Sequence, residues 1–297
     1  MKLLEAILMG LIQGIAEFLP VSSSGHLVIF QQLLGMDEVG ISFDVFLHIG
    51  TLIAVFAVFW KDIFRLFVDG VGIVADSLYN VCMYIKSKRT KETPIYKKII
   101  KNAYRKFAML IIVSTIPTGI IGILGGEMVD RAMGTLIVPG ICLIITAILL
   151  FIAENVPDGS KTPKGTSYFN ALFIGVCQGI ATLPGLSRSG TTITAGFLSG
   201  LRRDFAVKYS FIMSIPAIIG AGIVKIPDMK TDIASTGAVC YVVGGIVAAV
   251  TGYVCIKIML QVVKNKKFKC FSGYCLFVGV IALSLIHISE PTRLDVI

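Results

Sequence analysis

Glu17, His26 and Arg188 are the residues of this chain whose types and surroundings point to chemistry. Each stands in a serine- and glycine-rich segment bounded by apolar sequence, where an ionised group needs a partner. Insertion scales put the cost of a charge at a helix centre at about 2.5–3.5 kcal/mol. Gln13 lies one helical turn before Glu17, on the same face. The run Gln13 to His26 reads QGIAEFLPVSSSGH, and Gln178 to Thr191 reads QGIATLPGLSRSGT, aligned without a gap at an offset of 165 residues. Half of the fourteen aligned positions are identical: Gln13/Gln178, Gly14/Gly179, Ile15/Ile180, Ala16/Ala181, Ser22/Ser187, Ser24/Ser189 and Gly25/Gly190. Gly10 falls on Gly175 in the same register. The chain is therefore a duplicated unit, and its copies differ where the reactive groups are.

The two serine-rich turns add hydroxyls, from Ser22 to Ser24 and from Ser187 and Ser189. With Gly25 and Gly190 they also offer backbone N–H groups ahead of a helix, an anion-binding arrangement. Arg188 supplies a forked, permanently charged donor matched to phosphate oxygens. His26 titrates near neutral pH, and a serine hydroxyl beside it is a nucleophile. Carboxylate, serine, histidine and arginine within apolar sequence add up to hydrolysis of a phosphate ester or anhydride on a lipid. Bland alternatives exist: tight helix packing at the turns, a capping His26, a structural Glu17–Arg188 pair. Convergence of all four in the two copies of one repeat argues against them. Asp44 and His48 share a face of the first full span, which leaves two readings, the rim of the cavity or packing, and packing is the one favoured. Glu127, Asp130 and Arg131 read as a solvated loop.

The elements that must carry these residues are membrane helices. Hydrophobic residues make up 55% of the chain and charged ones 15%, with a mean hydropathy of +0.85, which excludes an ordinary soluble domain. The net charge of +9 sits between apolar runs, as in loops facing anionic lipid, and does not indicate nucleic acid. The seven cysteines show no metal-ligand spacing and read as small buried hydrophobes.

Residues 3–19 form a helix that Pro20 stops, and a short apolar segment, His26 to Leu34, follows the turn. Neither half is long enough to cross a bilayer, so the pair reads as a re-entrant hairpin. Phe43–Trp60, Phe107–Gly125 and Met133–Ala153 are spans, with Gly126–Ala132 a short loop. Ile63–Ile85 contains Arg65, Asp69, Asp76 and Asn80 and is expected at the cytoplasmic interface. The loop Lys86–Lys106 carries nine Lys/Arg against one Glu and belongs in the cytoplasm. After the polar linker 154–167, the second copy (168–286) repeats the plan. Its hairpin is Tyr168–Leu183 and Thr191–Leu201 about the turn Pro184–Gly190, followed by spans Tyr209–Ile226, Thr236–Leu260 and Phe271–Ile286. The expected fold is an all-α polytopic membrane protein, one integral domain, with each copy a re-entrant helical hairpin plus three transmembrane helices. Three crossings per copy invert the second copy (repeat one, 1–153) and put both termini outside. The tail 287–297 turns abruptly polar, has no counterpart and is taken as non-native, with no role for His287.

QGIAEFLPVSSSGH and PGLSRSGTT together resemble the two signature motifs of the undecaprenyl-diphosphate phosphatase, or bacitracin-resistance, family, over the chain up to about residue 284. The resemblance implies a plasma-membrane enzyme of bacteria, its site facing outward, that converts undecaprenyl diphosphate to the monophosphate carrier of peptidoglycan precursors. It also implies a divalent cation, Mg²⁺ or Ca²⁺. The family's first motif has Glu or Gln, three residues, then Glu, which falls on Gln13 and Glu17, so ligation rests on Glu17. The motif serine falls on Ser23, the histidine on His26, the second-motif arginine on Arg188 between Ser187 and Ser189, and the final threonine on Thr192. Whether serine or water attacks stays open at this level, and a homo-oligomer is compatible with the sequence. Inverted repeats with broken helices also build transporters, so a polyprenyl-phosphate flippase is the second reading. A type-2 phosphatidic acid phosphatase is rejected, because no further histidine follows Arg188 outside the tail.

Overall fold

The computed structural model of the chain describes residues 2–33, 41–91 and 93–289, with the side chains of 41–42, 225–236 and 286–289 outside the description. The His287 side chain and the tail from residue 290 are among the parts left out. The described helices are α1 (Leu3–Phe18), α2 (Ser23–Leu33), α3 (Ile41–Thr90), α4 (Ala103–Leu124), α5 (Gly126–Met133), α6 (Ile137–Asn155), α7 (Tyr168–Ile180), α8 (Arg188–Leu198), α9 (Arg203–Thr236), α10 (Ala238–Lys264) and α11 (Lys269–Ser289). Helices α3, α4, α6, α9 and α10 are long and apolar enough to cross a membrane. The chain is an all-α polytopic membrane protein.

The expected boundaries move at the two serine stretches, at Gly126–Ala132 and between Trp60 and Ile63. The serine stretches anticipated as turns are largely helical: α2 starts at Ser23 and α8 at Arg188. Ser22 Oγ accepts from Gly25 N at 3.3 Å, and Ser187 Oγ accepts from Gly190 N at 3.1 Å. A hydroxyl that captures one orphan N–H starts the helix at the next residue. Ser22 takes φ +70° to do so, a left-handed conformation uncommon outside glycine. The loop expected at Gly126–Ala132 is α5, still solvent-facing, with an exposed Arg131–Glu127 pair at 3.7 Å. Phe43–Trp60 and Ile63–Ile85 are one helix, α3, bent at Phe59 (φ −108°, ψ 21°).

Packing follows the duplication. Helix α1 lies on α10 and α7 lies on α4, so each copy's first helix rests on the other copy's second span. Glycines make this possible, since small residues let helix backbones approach closely. A Cβ on Gly10 would stand 2.5 Å from Gly244 O, and one on Gly14 would stand 2.7 Å from the Thr251 side chain. A Cβ on their counterparts Gly175 and Gly179 would stand 2.7 Å from Ser114 Cα and from the Ile121 side chain of α4. The last helices, α6 and α11, cross at Gly140 and Gly279 in the same way. The linker is pinned by Asp158, which accepts from Arg203 at 2.5 Å and pairs with Lys266 at 2.8 Å. Lys266 and Arg203 hold the Asp158 carboxyl below the usual carboxylate range. The helices thus deliver the starts of α2 and α8 to one place.

Candidate active site

The two duplicated segments meet directly. A Cβ on Gly25 would lie 2.7 Å from Gly185 Cα, so the start of α2 sits against the turn that precedes α8. Gly185 makes that turn at φ +90°, which glycine alone adopts without strain. Thr146 of α6 secures it, donating to Gly185 O at 3.1 Å and accepting from Ser187 N at 2.9 Å.

Glu17, 6% exposed, is the centre of the cluster. Its Oε1 forms an ion pair with Arg188 Nη2. Its Oε2 accepts from Ser23 Oγ at 2.7 Å and from Gln13 Nε2 at 3.0 Å. The distance to Ser23 is that of a charge-assisted O–H···O⁻ bond. Glu17 and Arg188, from the two aligned segments, are in direct contact. A buried charge is tolerable in such surroundings because its partner and its hydrogen bonds travel with it. Arg188 keeps 22% side-chain exposure, and the pair uses one of its two Nη groups.

His26 is held differently from what its neighbourhood in sequence suggests. Its Nδ1 lies 2.8 Å from Ser22 O, a bond in which only the nitrogen can donate. The neutral ring then presents Nε2 as an acceptor, and Tyr274 OH on α11 lies 2.8 Å away. The two rings stack with centroids 5.5 Å apart. The hydroxyl of Ser23 therefore faces a carboxylate, and the imidazole faces a tyrosine.

The remaining expected residues divide. Ser22 and Ser24 hydroxyls lie 3.5 Å apart, and Ser187 and Ser189 repeat that contact at 3.3 Å. Gly25 and Gly190 donate their N–H groups to the capping serines. Thr192 is turned away: its hydroxyl bonds Arg188 O at 2.8 Å and Ser210 Oγ at 2.6 Å. Gln178, the counterpart of Gln13, donates to Thr118 at 3.4 Å and has no other side-chain hydrogen bond among the described residues, and Thr182 stands in the place equivalent to Glu17.

Two residues outside the expected site set, His48 and Tyr274, join the cluster. His48, assigned to packing, has Nδ1 2.8 Å from Gln13 Nε2 and 3.1 Å from Glu17 Oε2. Its one legible sign was a second polar residue, Asp44, one turn earlier on an apolar span; Asp44 accepts from Gln31 at 3.0 Å. Tyr274 gave no sign, being 248 positions from His26. Thr191 has a buried hydroxyl with no partner among the described residues.

The implied divalent cation is tested by what oxygen the site leaves free. Among the described residues no group of three or more His, Cys, Asp or Glu is placed to hold a metal. Gln13 Oε1, however, is buried without a hydrogen-bond partner, on the side chain whose nitrogen touches Glu17. An amide oxygen beside a carboxylate is the hard-donor pair that Mg²⁺ or Ca²⁺ accepts, with phosphate oxygens and water completing the shell. The residues fit such an ion.

A family model described as "Bacitracin resistance protein BacA" matches residues 6–281. The chain is 43% identical over 287 residues to a protein of Methanosphaera stadtmanae named undecaprenyl-diphosphatase, covering 96% of this chain and 98% of the relative. Proteins of the same name from Halothermothrix orenii (38% over 286 residues, 96% and 98% covered) and Methanobrevibacter smithii (37% over 294 residues, 97% and 100% covered) are similarly close.

Proposed function

The chain belongs to the bacitracin resistance protein BacA family, and from that premise we propose that it hydrolyses undecaprenyl diphosphate to undecaprenyl phosphate and phosphate. The observation that carries the reading is the Ser23 hydroxyl bonded to Glu17, with Arg188 of the second copy on the same carboxylate. The terminal phosphate enters between the starts of α2 and α8, where the other Nη group of Arg188 binds it. Ser23 Oγ attacks phosphorus, its proton passes to Glu17, and the bridging P–O bond breaks to release the lipid monophosphate. Water then attacks the phosphoserine, and as the serine P–O bond breaks Glu17 returns to Ser23 Oγ the proton it had taken, with release of phosphate. The proton of that water passes through Tyr274 OH to His26 Nε2, 2.8 Å from it, and leaves with the phosphate. Arg188 and the N–H groups of the first turn of α8 face the charge spread over the transferring oxygens. Glu17 and Gln13 would hold the divalent cation, which when bound neutralises phosphate charge.

The helix pairing supports an inverted-topology repeat, copies 1–153 and 168–286 forming one integral domain with both hairpins at mid-membrane. Orientation follows the basic loops: Lys86–Lys106 in the cytoplasm, termini and site on the outer face of the plasma membrane. The test is phosphate release from undecaprenyl diphosphate by the purified protein in detergent, which a flippase would not give.

A further inference from the structure

Helix α3 does not end where a membrane span would. From Phe43 to Thr90 it is 48 residues long, about 72 Å at 1.5 Å per residue, against about 30 Å of hydrocarbon. Its bend at Phe59 separates the span from an arm, residues 61–90. The arm has two opposite faces. One carries Asp62, Asp69, Asp76 and Asn80 and is covered by the chain's own returning segment. Tyr104 OH donates to Asp62 at 2.8 Å, Asn102 to Asp69 at 2.9 Å, and Asn80 exchanges bonds with Lys97 at 2.7 and 2.8 Å. Arg105 and Lys101 reach Asp76 at 2.5 and 2.7 Å.

The other face is apolar and open. Phe64 (60% exposed), Phe67 (69%), Val71, Val74 (59%) and Leu78 follow one another at helical spacing. The same azimuth continues upward through Trp60, Phe56 and Ile53, exposed on the span itself. The stripe is thus continuous with a surface that lies against lipid. Lys61, Lys86 and Lys88 flank it, and none has a carboxylate partner among the described residues. Lysine stems at the rim of an apolar face let the ammonium groups reach lipid phosphates while the stripe stays buried.

We propose that the arm lies in the plane of the cytoplasmic leaflet, its apolar stripe among the acyl chains and its flanking lysines on anionic phospholipid headgroups. The inference stands apart from the phosphatase reading and does not need it. Straight extension into water would leave the stripe hydrated along about 45 Å of helix. Lying down removes it from water and adds an electrostatic attraction that grows with the anionic fraction, about fivefold in partition per lysine.

The full-length protein is reconstituted into phosphatidylcholine vesicles, alone or mixed with phosphatidylglycerol. Trp60 is the single tryptophan, so a Trp60→Phe background carries one reporter at a time: Val74→Trp on the stripe, Lys98→Trp on the covering segment. The Val74→Trp emission should be lost to bromine-labelled acyl chains and spared by aqueous acrylamide, with the reverse at Lys98→Trp. The acyl-chain quenching should deepen with phosphatidylglycerol, and Lys61→Gln with Lys86→Gln and Lys88→Gln should erase that increase. As a check free of reporters, a water-borne carbene should label Lys98 and spare Phe67 and Leu78 in the unmodified protein. Acrylamide access at Val74→Trp, or labelling of Phe67 and Leu78, would overturn the proposal. So would disulfide cross-linking of Val74→Cys between chains at high lipid dilution, which assigns the face to a second copy. Quenching indifferent to phosphatidylglycerol would overturn the headgroup half.

Discussion

Removing Ser23 and Glu17 singly and together tests whether the carboxylate acts through the serine. The two meet at 2.7 Å, and no other carboxylate among the described residues touches that hydroxyl. A positioned general base contributes about 10²–10⁴-fold, or about 3–5 kcal/mol of barrier. Ser23→Ala and Glu17→Gln should each lower kcat by about 10³-fold, and the double variant should fall by about 10³-fold as well, because groups that act as a unit are not additive. Stability separates the two residues. Ser23→Ala leaves the Glu17–Arg188 pair intact, whereas Glu17→Gln leaves a guanidinium in a site that is 3% exposed on one side and 22% on the other. Breaking a buried pair costs about 3–5 kcal/mol, and the residual exposure of Arg188 puts this case at about 3 kcal/mol or less. Phosphate release from undecaprenyl diphosphate gives the rates, and thermal melting in the same detergent gives the stabilities. Mass analysis of rapidly quenched protein should find phosphate on Ser23. Multiplicative losses in the double variant, about 10⁶-fold, would refute the serine–carboxylate unit and return the base role to another group.

Arg188→Lys keeps the charge but loses the fork, so kcat/KM should drop by about 10–100-fold; near-normal turnover would exclude bidentate phosphate binding. Gln13→Glu sets a second carboxylate beside Glu17, replacing the 3.0 Å amide contact with like-charge repulsion. Its melting temperature should fall in chelator and recover with Mg²⁺ more than the parent's does; equal Mg²⁺ responses would remove Gln13 from the ion. His26→Ala should lower kcat far more than it raises KM, and Tyr274→Phe, which deletes the 2.8 Å partner of Nε2, should lower kcat in the same sense by roughly tenfold; an unaffected Tyr274→Phe enzyme would make the pair structural. A cysteine at Thr93, in a background without native cysteines, should resist an impermeant reagent applied to intact cells, and rapid labelling would invert the orientation.

Apolar run length was enough to read five of the six expected spans, the exception being Phe271–Ile286, because burial in lipid constrains every residue of a crossing helix and leaves a signal tens of residues long. The internal alignment located Glu17, Ser23, His26 and Arg188, since a duplicated gene exposes its divergent positions without any fold. What these residues do to one another was decided by the packing. The Glu17–Arg188 pair joins positions from different copies, and it exists because Gly25 and Gly185 let the two turns touch. The fold of the first hairpin gave Ser23 the Glu17 carboxylate, six residues back, where sequence order suggested His26. Tyr274 entered the site from α11 with no local signature, because contact between distant segments depends on helix crossings that single-chain periodicity does not encode. Thr192 shows the converse: its motif position suited phosphate, but the rotation of α8 against α9 gave its hydroxyl to Ser210.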